Sequence, residues 1–319
     1  MYINLGLCCI VNELREGKPP IFSSRTCRLA TYYLEGEEKL KELGIQNLKD
    51  TYIMFGWCKK NNIKTIRLSS DIFPHVSNPK IERYSLDFAD ELLKKIGNYA
   101  KKNEMRVTFH PGQYNIIGSP KEHVFQNTLL DLDKHAEILD RMGMGNDSVM
   151  VIHGGGTYGD KKKSIDKFVE NFHRLPERVK RRLVIENCEK CFSIKDALDI
   201  SKRVNIPTAF DSHHYDCYKL LHKDEEFKPA GDYVEEILNT WSKRGIKPKF
   251  HISEQGSGKI GHHSDYIENI PEYMIDIKEK YGVDIDIMIE AKQKERAIFK
   301  LYEKYNTIFN FEKNDGIKM

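Results

Sequence analysis

Short runs of β-branched and other apolar residues recur along the chain, and each is followed by a longer stretch whose apolar positions return every three to four residues. The runs Ile3–Cys8, Lys64–Leu68, Arg106–Phe109, Ser148–Ile152, Leu183–Ile185, Thr208–Phe210, Lys249–Ile252 and Ile285–Ile289 predict strands. The stretches around Leu40–Asn61, Leu86–Lys102, Lys121–Met142, Ile165–Phe172, Ile194–Val204, Tyr233–Arg244, Tyr266–Tyr281 and Lys294–Tyr305 predict helices. Ser193 and the Ser164-Ile-Asp sequence stand where helix-capping groups are expected. Eight alternations of strand and helix argue for parallel βα units, and eight such units predict an α/β fold closed into a (β/α)8 TIM barrel. The other architecture that fits is an open doubly wound sheet, but no GxGxxG follows a strand. No Pro/Gly/Ser linker, charge block or low-complexity segment divides the chain. The expectation is therefore one domain over residues 1–305 and a short surface tail over 306–319.

Composition narrows the class without naming a chemistry. Of the 319 residues, 39% are hydrophobic and 31% charged, enough apolar matter for a core and too much for a disordered chain. No run approaches the roughly 18 apolar residues of a membrane helix. Met1–Val11 has neither a basic leader nor a small-residue cleavage site, so a cytoplasmic protein is expected. Lys and Arg number 51 against 48 Asp and Glu. A net charge of +3 neither announces nor excludes a polyanion partner, because the local field at a site decides that. Seven cysteines in such a chain read as reduced thiols. Cys188-Glu-Lys-Cys191 has redox or half-zinc spacing, but no second such pair completes a zinc site.

The strand ends carry the chemistry. VTFH ends at His110, VMVIH at His153, LVIE at Glu186, TAFD at Asp211 with His214 close behind, KFH at His251, and IMIE at Glu290. In a barrel these ends converge on the face where active sites of this fold lie. One histidine closing an apolar run is ordinarily a satisfied core residue. Six consecutive strands ending in His, Asp or Glu would leave buried acids and imidazoles repelling or unsatisfied unless cations sit among them. Mixed imidazole and carboxylate donors suit Zn²⁺ or Mn²⁺. With Glu186 and Glu290 able to bridge and His263 as a further donor, the set suits two or three ions. A multinuclear site of that kind activates water for in-line displacement at phosphorus.

The ordered set RLSS-DIFP, HPGQY, HGGGTYGDK, IEN, FDSHH, KFH, GHHSDYI and IMIEAKQKE resembles the UV damage endonuclease family, a (β/α)8 barrel related in architecture to endonuclease IV. The resemblance runs from Leu5-Gly6 to about Glu295; HPGQY and the IMIEAKxKE stretch are its most specific parts. It implies a DNA repair enzyme that nicks damaged double-stranded DNA on the 5′ side of ultraviolet photoproducts and some other lesions, abasic sites included. The implied cofactor is a cluster of two or three divalent ions, usually with Mn²⁺, and Zn²⁺ or Co²⁺ as alternatives. The implied metal ligands are His110, His153, Glu186, Asp211, His214, His251, His263 and Glu290, with His214 preferred over His213 and His263 over His262. Two departures stand out. Asn78 occupies a position where the family often has histidine, leaving it unmetalled or served by His75. Leu7 occupies one where an aromatic is frequent, so a stacking contact is expected to be missing.

Lys249 shares a strand face with His251, and burial among cations is expected to lower its pKa. By resemblance it contacts the phosphate or transition state, with or without carboxylation by CO₂; the plainer reading pairs its charge with Glu290 or Glu186. Glu186, Glu290 and Lys249 are the expected catalytic residues. Pro111-Gly112 forces a turn that lifts Gln113 and Tyr114 over the mouth, where the resemblance has them entering the DNA stack at the lesion. Lys161-Lys162-Lys163 is either a phosphate contact or a solvated helix start, and Arg178–Arg182 reads as structural. Two rival functions remain: a sugar isomerase or epimerase on the same fold, and a lesion-binding protein without catalysis. No obligate protein partner is expected, and the chain is expected to act as a monomer.

Overall fold

The computed structural model describes residues 2–309, and the last ten residues of the expected tail lie outside them. Its eight strands are β1 Ile3–Cys8, β2 Thr65–Arg67, β3 Arg106–Thr108, β4 Met150–His153, β5 Leu183–Glu186, β6 Thr208–Asp211, β7 Lys249–Ile252 and β8 Ile285–Ile289. All pairs are parallel, and the order β3-β2-β1-β8-β7-β6-β5-β4 is that of a barrel opened between β3 and β4. A single bridge between Phe109 and Met150 closes this gap, with Phe109 N–H donating to Val149 O and Val151 N–H to Phe109 O, each at 3.0 Å. The chain is thus one TIM barrel, as the patterning predicts. Parallel strands need crossovers of a dozen or more residues, and helices supply them. Among the described residues no helix is long and apolar enough to cross a membrane.

Strand parity decides what fills the barrel. In β8 the inward positions are Asp286 and Met288, with Glu290 following in step just past the strand, and in β7 they are Lys249 and His251. Gly6 of β1 makes room for Met288, since a Cβ there would stand 2.9 Å from Met288 Cε. Beneath, Asp286 accepts from Asn4 at 3.0 Å and Arg106 at 2.8 Å and lies 2.5 Å from Lys247 Nζ. This buried ion network closes the N-terminal end and leaves the opposite mouth for chemistry. Leu7 is fully buried between Ile66 and Ile289 on the neighbouring strands and offers no surface for stacking.

Most predicted helices fall within a few residues of their expected spans: Glu37–Lys60, Asp90–Lys102, Glu122–Arg141, Lys161–Phe172, Ile194–Val204, Val234–Ser242 and Glu295–Lys304. Ser193 and Asp196 form the full capping box. The cap expected at Ser164 lies instead at Asp160, whose side chain accepts from Lys163 N–H, so that helix starts a turn earlier. The single helix expected over Tyr266–Tyr281 is not formed. The segment stays irregular up to Pro271 and then makes two short helices, Glu272–Ile275 and Ile277–Tyr281. The reason is local: Glu254 Oε1 accepts the N–H groups of Glu268 and Asn269 at 2.8 and 3.1 Å, and Pro271 has none to give to a helix. Asn306–Phe309, expected to begin the tail, make a helical turn that buries Phe309 against Tyr302.

Candidate metal centre

Glu186 is the hub of the mouth. It is fully buried at the end of β5, and its Oε2 lies 2.8 Å from His110 Nε2 and 3.0 Å from His153 Nε2. Its Oε1 lies 2.6 Å from His251 Nδ1 and 3.9 Å from His214 Nδ1. His251 Nδ1 also stands 3.3 Å from Glu290 Oε1, so one imidazole joins the two glutamates. One carboxylate thus gathers imidazoles from β4 and β7, from just beyond β3 and from the helix that follows β6, segments that are distant in sequence.

Three overlapping groups have donor atoms within 4.8 Å of one another: His110 with Glu186 and His251, His153 with Glu186 and His214, and Asp211 with His251 and Glu290. His263 stands at the rim. It is held by an antiparallel bridge to Gln255, with Nε2 3.9 Å from Glu290 Oε2.

The paired histidines that follow β6 separate cleanly. Asp211 is both the last residue of its strand and the N-cap of helix Ser212–Leu221, and it accepts from His214 N–H at 2.8 Å. That cap turns His214 toward Glu186, with Nδ1 3.1 Å from Asn187 O. His213 points away, to Ser253 Oγ at 2.8 Å and Gln255 Oε1 at 3.2 Å. In the other pair His263 faces Glu290, while His262 lies against Gly258. His75 is also turned away, with Nε2 2.8 Å from Cys27 O and Nδ1 3.1 Å from Asn78 Nδ2, and neither His75 nor Asn78 joins the three groups.

The electrostatics suit cations. Burial would raise the Glu186 and Glu290 carboxyls, yet neighbouring imidazoles, and Arg67 for Glu290, hold both below the ordinary range. Burial would lower His214, but Asp211 and Glu186 push it up to about 10. Burial drives His110 down to about 4. Among the described residues nothing donates a hydrogen bond to the buried Asp211 Oδ2, and His251 Nε2 is likewise unpartnered. A buried carboxylate oxygen left without a hydrogen bond is costly unless a cation meets it. The hard carboxylates and borderline imidazoles therefore fit divalent ions.

Lys249 is fully buried, with Nζ 3.2 Å from Thr108 Oγ1. Among the described residues no carboxylate lies within ion-pair distance of it, so the expected pairing with Glu290 or Glu186 is not made. Burial, then Arg67 and Arg106, lower its pKa to about 7. Gln113 and Tyr114 sit exposed on the turn after His110. Lys161 is drawn to Tyr218 OH at 2.7 Å and Asp196 at 3.2 Å, leaving Lys162 and Lys163 outside. Arg178 pairs with Asp133, and Arg181 and Arg182 with Asp140. All seven cysteines are free thiols; Cys188 Sγ accepts the N–H groups of Cys191 and Phe192 at 3.2 and 3.1 Å.

Sequence reasoning missed Arg67. It ends β2, shares the inward face with Thr65, and places Nη1 2.6 Å from Glu290 Oε1. The available signal was parity: a charged residue two positions after a small inward one, on a strand aimed at the mouth.

Comparison with known proteins agrees with this geometry. The family model described as UV-endonuclease UvdE matches residues 3–317. A UV DNA damage endonuclease of Bacillus cereus is 35% identical over 284 residues, covering 88% of each chain. The UV-damage endonuclease of Schizosaccharomyces pombe is 38% identical over 94% of this chain, which spans about half (50%) of that relative's length. Among solved structures, SacUVDE superposes with a TM-score of 0.83 at 29% identity, covering 97% of this chain and all (100%) of the other. Endonuclease IV from Thermus thermophilus shares the fold, with a TM-score of 0.55 at 10% identity over 97% of this chain and 99% of the other.

Proposed function

The chain belongs to the UV-endonuclease UvdE family, and from that membership we propose that it hydrolyses the phosphodiester on the 5′ side of cyclobutane dimers and 6-4 photoproducts in duplex DNA, and at abasic sites. The cut leaves a 3′-hydroxyl and a 5′-phosphate. The observation that carries this reading is the placement of Glu186, buried among four imidazoles at the barrel mouth.

In this reading His110, His153, Glu186, Asp211, His214, His251, His263 and Glu290 hold two or three divalent ions, Mn²⁺ foremost and Zn²⁺ or Co²⁺ as alternatives. Such ions supply Lewis acidity and water activation at phosphorus. The protein's own groups do the rest. Glu186 and Glu290 keep the imidazoles oriented and their negative charge in place. The Lys249 amine, its charge suppressed by burial, either donates to a phosphate oxygen or takes up CO₂ as a carbamate. Gln113 and Tyr114, exposed beyond His110, fill the gap opened when damaged bases leave the stack. No obligate protein partner is involved, and a monomer suffices.

The test is incision of an end-labelled duplex carrying one defined cyclobutane dimer. A single nick 5′ to the dimer is expected, lost in Glu186→Gln and Glu290→Gln. An intact duplex, or equal cutting by the variants, rejects the assignment. Sugar turnover without incision would move the protein to the isomerase class, and retention of damaged DNA without cutting to the binding class.

A further inference from the structure

Tyr114 is a large aromatic side chain left 63% exposed, and such a ring is useful at a nucleic-acid surface only if something fixes its direction. Its ring folds back over Gly112, where a Cβ would stand 2.4 Å from Tyr114 Cε1. Its hydroxyl donates to Asp131 Oδ1 at 3.3 Å. Asp131 is 2% exposed and belongs to helix Glu122–Arg141, the rigid crossover that follows this loop.

The same carboxylate collects other donors. Ser77 Oγ, from the loop after β2, donates to Oδ1. Asn115 Nδ2 donates to Oδ2 at 2.7 Å, and His135 Nδ1 lies 3.5 Å from Oδ2. Asn115 also ties the turn to itself, its Nδ2 donating to Gly112 O at 3.0 Å. Asp131 therefore fastens two mouth loops to one helix and makes no contact with the metal-ligand groups.

We propose that Asp131 is a positioning residue that sets the Tyr114 ring for its contact with damaged DNA. A buried acceptor shared by several donors has one low-energy arrangement, so the phenol is held rather than free to turn. The loop then meets DNA with its ordering cost already met, and the benefit appears in substrate binding rather than in bond cleavage. The proposal rests on the endonuclease reading above.

Incision kinetics on the dimer-containing duplex test it, using metal-loaded protein. Tyr114→Phe deletes only the hydroxyl, and Asp131→Ala deletes its acceptor. Each is expected to raise KM by about tenfold, the effect of losing a hydrogen bond to a charged group, with kcat nearly unchanged. The double variant is expected to match the single ones. Asp131→Asn keeps an oxygen for the phenol, and Asn115, whose Oδ1 has no partner among the described residues, can turn its amide to meet the new nitrogen; this variant is expected to recover most of the KM. Should Asp131→Ala fail to fold, Gly112→Ala, which displaces the ring directly, is expected to raise KM similarly. Multiplying effects in the double variant, Asp131→Asn no better than Asp131→Ala, or Gly112→Ala and Tyr114→Phe without effect on KM would overturn the assignment. Absence of incision by the unaltered protein would instead reject the endonuclease reading, and this role with it.

Discussion

Arg67 Nη1 lies 2.6 Å from Glu290 Oε1, an ion pair at the barrel mouth between the last residue of β2 and the residue just after β8, strands that flank β1 on either side. The Arg67 side chain is only 16% exposed, so its charge is aimed into the site rather than at solvent. A cation fixed beside the acidic cluster lowers the cost of assembling three carboxylates and can face the phosphate oxygens of a bound strand. Its fork geometry also suits phosphate.

Removing that charge should impair turnover more than metal retention. Arg67→Ala is expected to lower kcat for incision by roughly 10²–10³-fold, the usual effect of losing one preorganised donor at a developing oxyanion. Metal content per chain should stay unchanged, and Arg67→Lys should restore only part of the rate. Kinetics within a few-fold of the parent protein would contradict this role.

His263 depends on the backbone beside it. Gly256 N–H donates to His262 O at 2.6 Å, and a Cβ on Gly256 would stand 2.3 Å from His263 O. Backbone cannot yield there as a side chain could. Gly256→Ala should push the rim histidine outward and weaken metal retention while leaving the barrel's melting temperature nearly unchanged, because the loop lies outside the core. Titration with Mn²⁺ read by metal analysis after gel filtration checks it. Parent-like metal retention would argue that His263 is not a ligand.

Far from the mouth, Asp286 gives the fold a pH dependence. Burial would raise its carboxyl, but Arg106 and Lys247 outweigh burial and hold it below the ordinary value. A group depressed in the folded state contributes stability that is fully present above its unfolded pKa, about 3.9, and is lost as pH falls through the lower folded value. Asp286→Asn should cost roughly 3–5 kcal/mol near neutrality, as expected when one partner of a buried pair is removed. The gap between variant and parent should narrow below about pH 4. Urea midpoints measured from neutral pH to acid decide it; a gap that stays constant would show that the carboxylate is not the stabilising form.

What was legible in the sequence follows from where chemistry interrupts pattern. Glu186 closes Leu-Val-Ile and Glu290 closes Ile-Met-Ile, so an acid at the end of an apolar run marks both the strand and its mouth-facing terminus. The same contrast placed His110, His153, Asp211 and His251. Arg67 lacked it, because the predicted run continues through Leu68 and a charged residue inside such a run reads as an ordinary surface position. Asp131 looked like one more acid on an amphipathic helix, and its role depends on donors from two loops. Helix Asn12–Glu16 was invisible for a related reason: its first N–H groups are satisfied by Glu295, at 2.8 and 2.9 Å, from the far end of the chain. Tyr266–Tyr281 had helical periodicity, but Glu254 supplies its backbone with other acceptors. Local pattern specifies elements; contacts between distant segments specify which of them yield.

The central claim is that acids and imidazoles from six strands of one barrel hold divalent cations at its mouth. Anomalous diffraction at the manganese edge, on crystals grown with Mn²⁺, tests it most directly. Two or three peaks enclosed by Glu186, Asp211, Glu290 and the surrounding histidines are expected. A mouth without peaks, its side chains paired only with one another, would contradict the account.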